Sequence, residues 1–230
     1  IGDFAFFDCS SLRHVEIPNS VITIGDSAFY NCSSLRSVEI PNSVTNIGDS
    51  AFRYCESINE IILSNSLISI GEYAFTNCKI EELTIPNSVI EIGDWAFEYC
   101  GNLKKVKIGE NLSSLAPNSF FGCEILYVEN SSDLELSFDS SDYRFLVVNA
   151  RIITDKNGIK YFKQENENTL VFETIDGFMF KQENNNYTLI SYNGSKNEVT
   201  LPLNINNSKY NISYFVNGAA KIINVPDSFV

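Results

Sequence analysis

The chain has 230 residues, of which 44% are hydrophobic and 20% are charged, and its formal net charge at pH 7 is −13. This composition can bury a sizeable core, and no apolar run approaches the ~20 residues that a membrane-spanning helix needs. The negative charge argues against nucleic acid or an anionic membrane as the main partner, because both attract basic surfaces.

The first half of the chain is organised by an internal repeat that is marked by six cysteines. They recur about every 23 residues, and only the step from Cys78 to Cys100 is shorter, by a single residue. Such a period is typical of solenoids, in which stacked units bury an apolar face that a single unit cannot bury alone. The column consists of Cys9, Cys32, Cys55, Cys78, Cys100 and Cys123.

Each repeat begins with a turn and a predicted short helical segment. In the second repeat, Gly25 allows a tight turn and Asp26 suits the N-cap of a short helical turn. Ala28, Phe29 and Cys32 can then share one inward face, because residues three or four apart lie on the same side of a helix. We therefore predict a core built from stacked Ala, Phe and Cys columns.

A short strand follows in each repeat. Leu35, Val38 and Ile40 end with the period of two that is typical of a half-buried strand, and Pro41 stops that strand. We expect successive strands to pair in parallel, ~4.8 Å apart. The serine two residues after this proline position is interpreted as part of a hydroxyl ladder that bonds the turn backbone, with plain solvent exposure as the alternative. These serines are Ser20, Ser43, Ser66 and Ser88.

The run I-G-D-S-A-F-Y-N-C-S-S-L-R-S-V-E-I-P-N-S-V at residues 24–44 closely resembles the BspA-type leucine-rich repeat. The resemblance covers residues 1 to about 128, or five to six repeats. It implies a leucine-rich-repeat solenoid with short parallel strands and short helical turns. It further implies a surface or secreted protein of an anaerobic bacterium or a parasitic protist, engaged in adhesion or host contact.

The periodicity fails after Cys123, and residues 129–198 are predicted to form an inserted β-hairpin element. The segment contains a duplication, in which the run F-K-Q-E-N at Phe162 recurs at Phe180. Asp176-Gly177 and Asn193-Gly194 are dipeptides typical of hairpin turns. Similar segments interrupt many arrays of the BspA type, and a separate globular domain is the alternative.

Residues 199–230 are predicted to resume the solenoid as a degenerate, truncated repeat. The spacing of five residues matches the Phe, Cys, strand and Pro columns of the earlier repeats, with Leu201-Pro202 as the preceding strand end. Ile1 falls in mid-repeat, so we expect the chain to be an excerpt from a longer protein. The five matching residues are Phe215, Gly218, Ile223, Val225 and Pro226.

The cysteine column has three possible interpretations. Neighbouring cysteines would lie ~5 Å apart, which a disulfide tolerates, and thiolates can also bind zinc. Zinc sites, however, favour clustered spacings such as C-x₂-C, which this sequence lacks. We favour buried free thiols that pack beside phenylalanine, because side chains in a ladder point the same way and each inner cysteine has two equivalent neighbours.

The sequence offers little chemistry for catalysis, and we predict a protein that is not an enzyme and that has no cofactor. His14, the single histidine, lies at an exposed strand position without a neighbouring nucleophile or metal-ligand pattern. Asp133, Glu135, Asp139 and Asp142 form an acidic cluster, but they lack the register of a calcium loop.

The outward positions of the predicted strands carry a pattern of alternating charge, in which Glu81-Glu82 is expected to face Lys104-Lys105 across one strand spacing. If a partner binds, we expect it on this face, although cross-strand charge pairing that keeps the sheet soluble is the alternative. The expected partner is a protein or glycoprotein of a host or neighbouring cell, with no nucleic acid and no membrane insertion. The predicted binding residues are Arg13, Arg36, Glu81, Glu82, Lys104, Lys105 and Lys107.

The predicted function is therefore a protein-binding or adhesion module, found at the cell surface or secreted, or in the cytoplasm of a protist. Two alternatives stay open. One is a structural spacer or scaffold that contacts no ligand itself. The other is the targeting region of a larger enzyme whose catalytic domain lies outside this chain.

Overall fold

The computed structural model describes residues 1–136, 144–147, 149–163, 169–174, 176–183, 186–196, 198–200, 210–217 and 222–224. The chain forms two compact units, Ile1–Lys156 and Asn157–Val230. No helix in these described residues is both long and apolar enough to cross a membrane.

The first unit is a solenoid whose strands form two parallel series. The first series is a five-stranded sheet in the order β1-β3-β5-β7-β9. In the second series, which we call the front strands, β2 pairs with β4, and β6, β8, β10 and β11 pair in that order. The strands are β1 (Thr23–Ile24), β2 (Ser37–Glu39), β3 (Asn46–Ile47), β4 (Glu60–Ile62), β5 (Ser69–Ile70), β6 (Glu82–Thr84), β7 (Glu91–Ile92), β8 (Lys105–Ile108), β9 (Ser114–Leu115), β10 (Tyr127–Asn130) and β11 (Ile152–Thr154).

The front strands confirm the predicted parallel strands and their period of two. Val38 is buried between the exposed residues Ser37 and Glu39, and β4 and β6 repeat this pattern. The other series was visible in the sequence only as a recurring pair of apolar residues. Its strands are two residues long, as in Thr23–Ile24, which is too short for an alternation to show.

The turn after each Gly-acid pair differs from the predicted helical turn. The Tyr30 N–H bonds to the carbonyl of Ser27 at 3.1 Å, whereas the Phe29 N–H bonds to Ala51 in the next repeat at 2.7 Å. Ser27 and Asn31 have left-handed backbone angles, with φ of 53° and 55°. Because alternate N–H groups are satisfied by the neighbouring repeat, the segment adopts consecutive turns instead of a helix.

The predicted Phe column is a stack of buried rings. Consecutive ring centroids lie 5.0 to 5.3 Å apart, and the ring planes are within 8° of parallel. The stack places a large apolar side chain in the core of every repeat, which favours close packing between repeats. Its members are Phe29, Phe52, Phe75, Phe97 and Phe120.

The cysteines are free, and five of the six are buried. The interpretation of the column as buried thiols is confirmed for these five, and Cys9 is exposed. Each buried sulfur donates to the carbonyl of the phenylalanine one repeat earlier: Cys55 Sγ to Phe29 at 3.1 Å and Cys123 Sγ to Phe97 at 3.1 Å. The column is thus a hydrogen-bonded ladder as well as an apolar one.

The predicted serine ladder is wrong. The hydroxyls of Ser43 and Ser88 are buried without a hydrogen-bond partner. The preceding asparagine makes the inter-repeat bond instead: Asn42 Oδ1 accepts the N–H of Asn65 at 2.8 Å. The longer amide side chain spans the gap between repeats, which a serine hydroxyl at the next position does not reach.

The front strands continue past the predicted end of the solenoid at residue 128. That boundary falls inside β10, and β11 pairs with β10 in parallel, with Tyr127 opposite Ile152. A single turn of helix, α1 (Arg144–Val147), lies between these two strands. The assignment of residues 129–198 as an insertion stays a prediction, but a parallel strand lies within it.

The second unit contains an antiparallel meander, which confirms the predicted β-hairpin element. Strands β12 to β15 pair in chain order. Each copy of the duplication forms one hairpin, with Phe162 opposite Val171 and Phe180 opposite Leu189. The strands of this unit are β12 (Lys160–Phe162), β13 (Thr169–Glu173), β14 (Phe178–Glu183), β15 (Asn186–Tyr192), β16 (Glu198–Thr200), β17 (Tyr210–Asn217) and β18 (Ile222–Asn224).

Only one of the two predicted turn dipeptides joins a hairpin. Gly177, with φ of 87°, lies between the paired strands β13 and β14. The prediction for Asn193-Gly194 is wrong, because its flanking strands β15 and β16 pair with other strands. The Asn193 N–H instead donates to the Gly177 carbonyl at 2.8 Å. A Cβ on Gly177 would lie 2.6 Å from Gly194 N, so the two turns pack closely.

The resumed repeat at residues 199–230 stays a prediction. Strand β16 pairs in parallel with β18, with Val199 opposite Ile223. The sequence separation between these two residues equals the separation between Leu201 and Val225, the positions that the prediction had aligned. Phe215, which was aligned with the Phe column, lies in β17. Leu201-Pro202, Gly218, Val225 and Pro226 lie outside the described residues.

Candidate partner-binding face

The outward side chains of the front strands form one continuous surface, which we call the front face. Side chains alternate in direction along each strand. Val38, Leu83 and Val106 therefore point into the core, and the residues on either side of them point outward. Strand register aligns the outward residues of β2 with those of β4, and those of β6, β8 and β10 with one another. The sequence repeat aligns these two groups with each other and with His14 and Glu16, which gives two columns. One contains His14, Ser37, Glu60, Glu82, Lys105 and Tyr127, and the other contains Glu16, Glu39, Ile62, Thr84, Lys107 and Glu129.

An acidic groove of about 430 Å³ occupies the first part of the front face. Its lining combines three carboxylates with apolar surface, and Ile62 is 52% exposed. None of the predicted binding residues lines this groove. The recurrence of Glu16 and Glu39 at the same strand position can be seen in the sequence, but the groove depends on how neighbouring strands pack. Its lining includes His14, Glu16, Ser37, Glu39, Glu60 and Ile62.

The basic part of the front face begins at β8. Lys105 lies opposite Glu82 in the register, as the sequence predicted, but its ammonium pairs with Glu129 on the other side, at 3.0 Å. The hydrogen bond and the charge of Glu129 raise the pKa of Lys105. Lys104 likewise pairs with Glu124 at 2.7 Å. Both ion pairs are exposed, so each contributes little to stability.

The predicted binding residues lie in two separate parts of the front face. Lys107 is exposed, and its ammonium has no hydrogen bond or ion pair among the described residues. Arg13 and Arg36 are exposed in the first two repeats. Four strand spacings separate the Arg13 position from Lys104, or about 19 Å. The structure therefore brings Glu81, Glu82 and the three lysines together, and leaves the arginines apart.

Charged and apolar side chains make up the front face. His14 is exposed at the groove. Among the described residues, no group of three or more His, Cys, Asp or Glu side chains could hold a metal ion. In the acidic cluster, Asp133 forms an ion pair with Lys156, and Asp139 and Asp142 lie outside the described residues.

Two series of short parallel strands, a stacked Phe core and a regular repeat marked by cysteine define a leucine-rich-repeat solenoid. The chain belongs to the BspA-type leucine-rich repeat family. The model of that family, described as the BspA type leucine rich repeat region, matches in six copies over residues 1–78 and 22–144. No curated protein matches the chain.

Solved structures show the same fold. A leucine-rich repeat protein from Bacteroides ovatus is 30% identical, with a TM-score of 0.52 over 56% of this chain and 34% of that one. The chain thus corresponds to about a third of that protein's length. A leucine rich cell surface protein from Faecalibacterium prausnitzii is 22% identical, with a TM-score of 0.51 over 97% of this chain and 64% of that one.

Proposed function

We propose that this chain is a protein-binding module of a cell-surface or secreted protein, and that the partner docks on the front face. The expected partner is a protein or glycoprotein of a host or neighbouring cell. Membership of the family supports a binding repeat, and the solved relative from F. prausnitzii is a cell surface protein.

The observation that carries the proposal is the difference between the inner and outer residues of the same strands. Inner positions stay apolar from repeat to repeat, as in Val38, Ile61, Leu83 and Val106. Outer positions change in charge and size, from the acidic groove to the lysines of β8. An open sheet with distinct chemical zones is the kind of surface on which solenoids bind their partners.

The test replaces Lys104, Lys105 and Lys107 together with glutamine and measures binding of the full chain to immobilised extracellular-matrix proteins and to epithelial cells. A matched control replaces Lys79, Lys181 and Lys196, which lie on none of the front strands, so that net charge changes equally. A second variant, Glu39→Gln with Glu60→Gln, tests the groove. We expect about a tenfold loss of binding from a front-face variant and little change in the control.

One observation favours a second candidate, a structural spacer. Lys104 and Lys105 already have carboxylate partners in Glu124 and Glu129, as expected for a sheet face that only needs to remain soluble. If neither front-face variant lowers binding relative to the control, the front face is not a docking surface. The spacer would then be the better account of the fold.

A further inference from the structure

The turns that connect the two strand series carry a cluster of surface aromatic side chains, which we call the aromatic ridge. Tyr73 and Trp95 stack with centroids 6.2 Å apart, and Phe121 meets Trp95 at 5.3 Å and Tyr99 at 5.5 Å, both edge-on. The Arg53 guanidinium lies 4.4 Å from the Tyr73 ring and 4.9 Å from that of Tyr54. The ridge consists of Tyr54, Tyr73, Trp95, Tyr99 and Phe121.

The fold does not require these rings. Ser27 and Ser50 occupy the same column of the repeat as Tyr73 and Trp95, with the same left-handed backbone: φ is 53° and 56° for the serines and 55° and 59° for the aromatics. The turn therefore forms equally well with a small side chain. Bulky residues are uncommon at such angles, which makes aromatics a costly choice for a turn.

The rings are also outside the core. Tyr99 is 52% exposed, and the other four are half-buried, in contrast to the fully buried Phe75 and Phe97. Tyr, Trp and Arg are the residue types that are most enriched among the residues that dominate the binding energy of protein interfaces. Their rings are preordered by mutual contact, so little side-chain freedom is lost on binding.

The charges beside the ridge indicate what kind of partner fits. Asp94 and Glu98 lie on either side of Trp95 in the sequence. Asp94 Oδ2 accepts a hydrogen bond from the Asn118 side chain at 3.3 Å, and its Oδ1 is buried without a hydrogen-bond partner. Glu98 is half-buried, and its carboxylate has no hydrogen bond or ion pair among the described residues. Burial raises the pKa of this carboxyl despite the opposing charge of Arg53. Arg53 itself is engaged by the two tyrosines.

We propose that the aromatic ridge is a second interaction surface, separate from the front face, that binds a protein segment presenting lysine or arginine together with apolar side chains. The cations would lie against ring faces and beside the two carboxylates, where cation–π and ionic contacts reinforce each other. The apolar side chains would cover ring edges. The chain's net charge of −13 would speed the approach of such a segment.

Trp95 is the one tryptophan of the chain, so its fluorescence reports directly on the ridge. The full chain is titrated with a short peptide that alternates lysine with leucine. The same peptide with glutamate in place of lysine and a neutral malto-oligosaccharide are titrated in parallel. We expect saturable change in Trp95 emission with the lysine peptide, and about tenfold weaker binding for Tyr99→Ala or Glu98→Gln.

Two matched variants separate the ridge from general attraction to an acidic protein. Ile90→Ala removes an exposed apolar side chain, and Glu110→Gln removes an exposed carboxylate, both outside the ridge and the front face. Both should leave binding of the lysine peptide unchanged. Equal weakening by Glu110→Gln and Glu98→Gln would overturn the proposal. So would equal binding of the glutamate peptide, a response to the oligosaccharide alone, or no response to any probe.

Discussion

The thiol of Cys55 donates a hydrogen bond of 3.1 Å to the backbone carbonyl of Phe29, the residue in the Phe column of the preceding repeat. That carbonyl also accepts the N–H of Cys32 at 3.2 Å within its own turn. One side chain therefore fills the core and ties each repeat to its neighbour. This double role explains why the column recurs as cysteine rather than as a purely apolar residue.

The first prediction concerns thiol reactivity. Five cysteines are buried and Cys9 is exposed, so the native protein should react with a thiol reagent at Cys9 alone. All six thiols should react after denaturation in urea without a reductant, because none is in a disulfide. Colorimetric titration before and after denaturation checks both counts. Fewer than six reactive thiols in urea would contradict the free-thiol ladder.

The second prediction concerns the contribution of one thiol to stability. Cys55→Ala removes a buried sulfur and its hydrogen bond to Phe29, and should lower the free energy of unfolding by ~1–2 kcal/mol. Urea denaturation followed by circular dichroism measures the change. Cys9→Ala is the matched control and should lie within ~0.5 kcal/mol of the parent chain. Equal losses in the two variants would mean that burial in the ladder contributes nothing.

The third prediction is a loss of stability at alkaline pH. Burial raises the pKa of the Cys78 and Cys100 thiols above the ordinary value of about 8.5. Above that pH the unfolded chain releases protons that the folded chain keeps, so the unfolded state binds fewer protons and the free energy of unfolding falls as pH rises. Below it, the contribution of the thiols is fully present. The slope is at most ~1.4 kcal/mol per pH unit for each thiol.

Urea denaturation between about pH 7.5 and 10 measures this slope. A variant that carries Cys78→Ala with Cys100→Ala should be less stable at neutral pH but should lose less stability on going to alkaline pH. Lysine and tyrosine titrations are common to both proteins and cancel in the comparison. Identical slopes would show that the buried thiols do not titrate between the two states.

The fourth prediction concerns the Phe stack. Phe75 lies between Phe52 and Phe97, with both centroid distances 5.3 Å, and is fully buried. Phe75→Ala should lower the free energy of unfolding by ~3–5 kcal/mol, because it leaves a cavity between two repeats. Phe4→Ala, at a ring that is 59% exposed, serves as the control and should have a small effect. Thermal and urea unfolding provide the measurement, and similar costs at the two sites would contradict a continuous core.

The conformation of the turns could not be predicted from the sequence. The sequence pattern is typical of a helical turn: a glycine is followed by an aspartate, and Ala, Phe and Cys are spaced to share one face. The structure instead bonds alternate N–H groups to the next repeat and gives Ser27 and Asn31 left-handed angles. Those bonds exist only once repeats are stacked, so a pattern within one repeat could not reveal them.

The ion pairs of the front face could also be predicted only in part from the sequence. The sequence placed Glu82 opposite Lys105, and the register agrees. The choice of Glu129 as the ion-pair partner depends on side-chain geometry across the strands. The aromatic ridge was missed because its rings come from three different columns of the repeat. They meet only where neighbouring turns stack.

The sequence by itself determined the repeat, the family, the buried columns and the parallel front strands, because a regular repeat must bury the same positions in every unit. It also located the hairpin turn at Asp176-Gly177. The tertiary structure alone decided the second strand series, the thiol-to-carbonyl bonds, the partners of the lysines and the meeting of the ridge aromatics. All four depend on contacts between neighbouring repeats, and these contacts form only when the repeats are stacked.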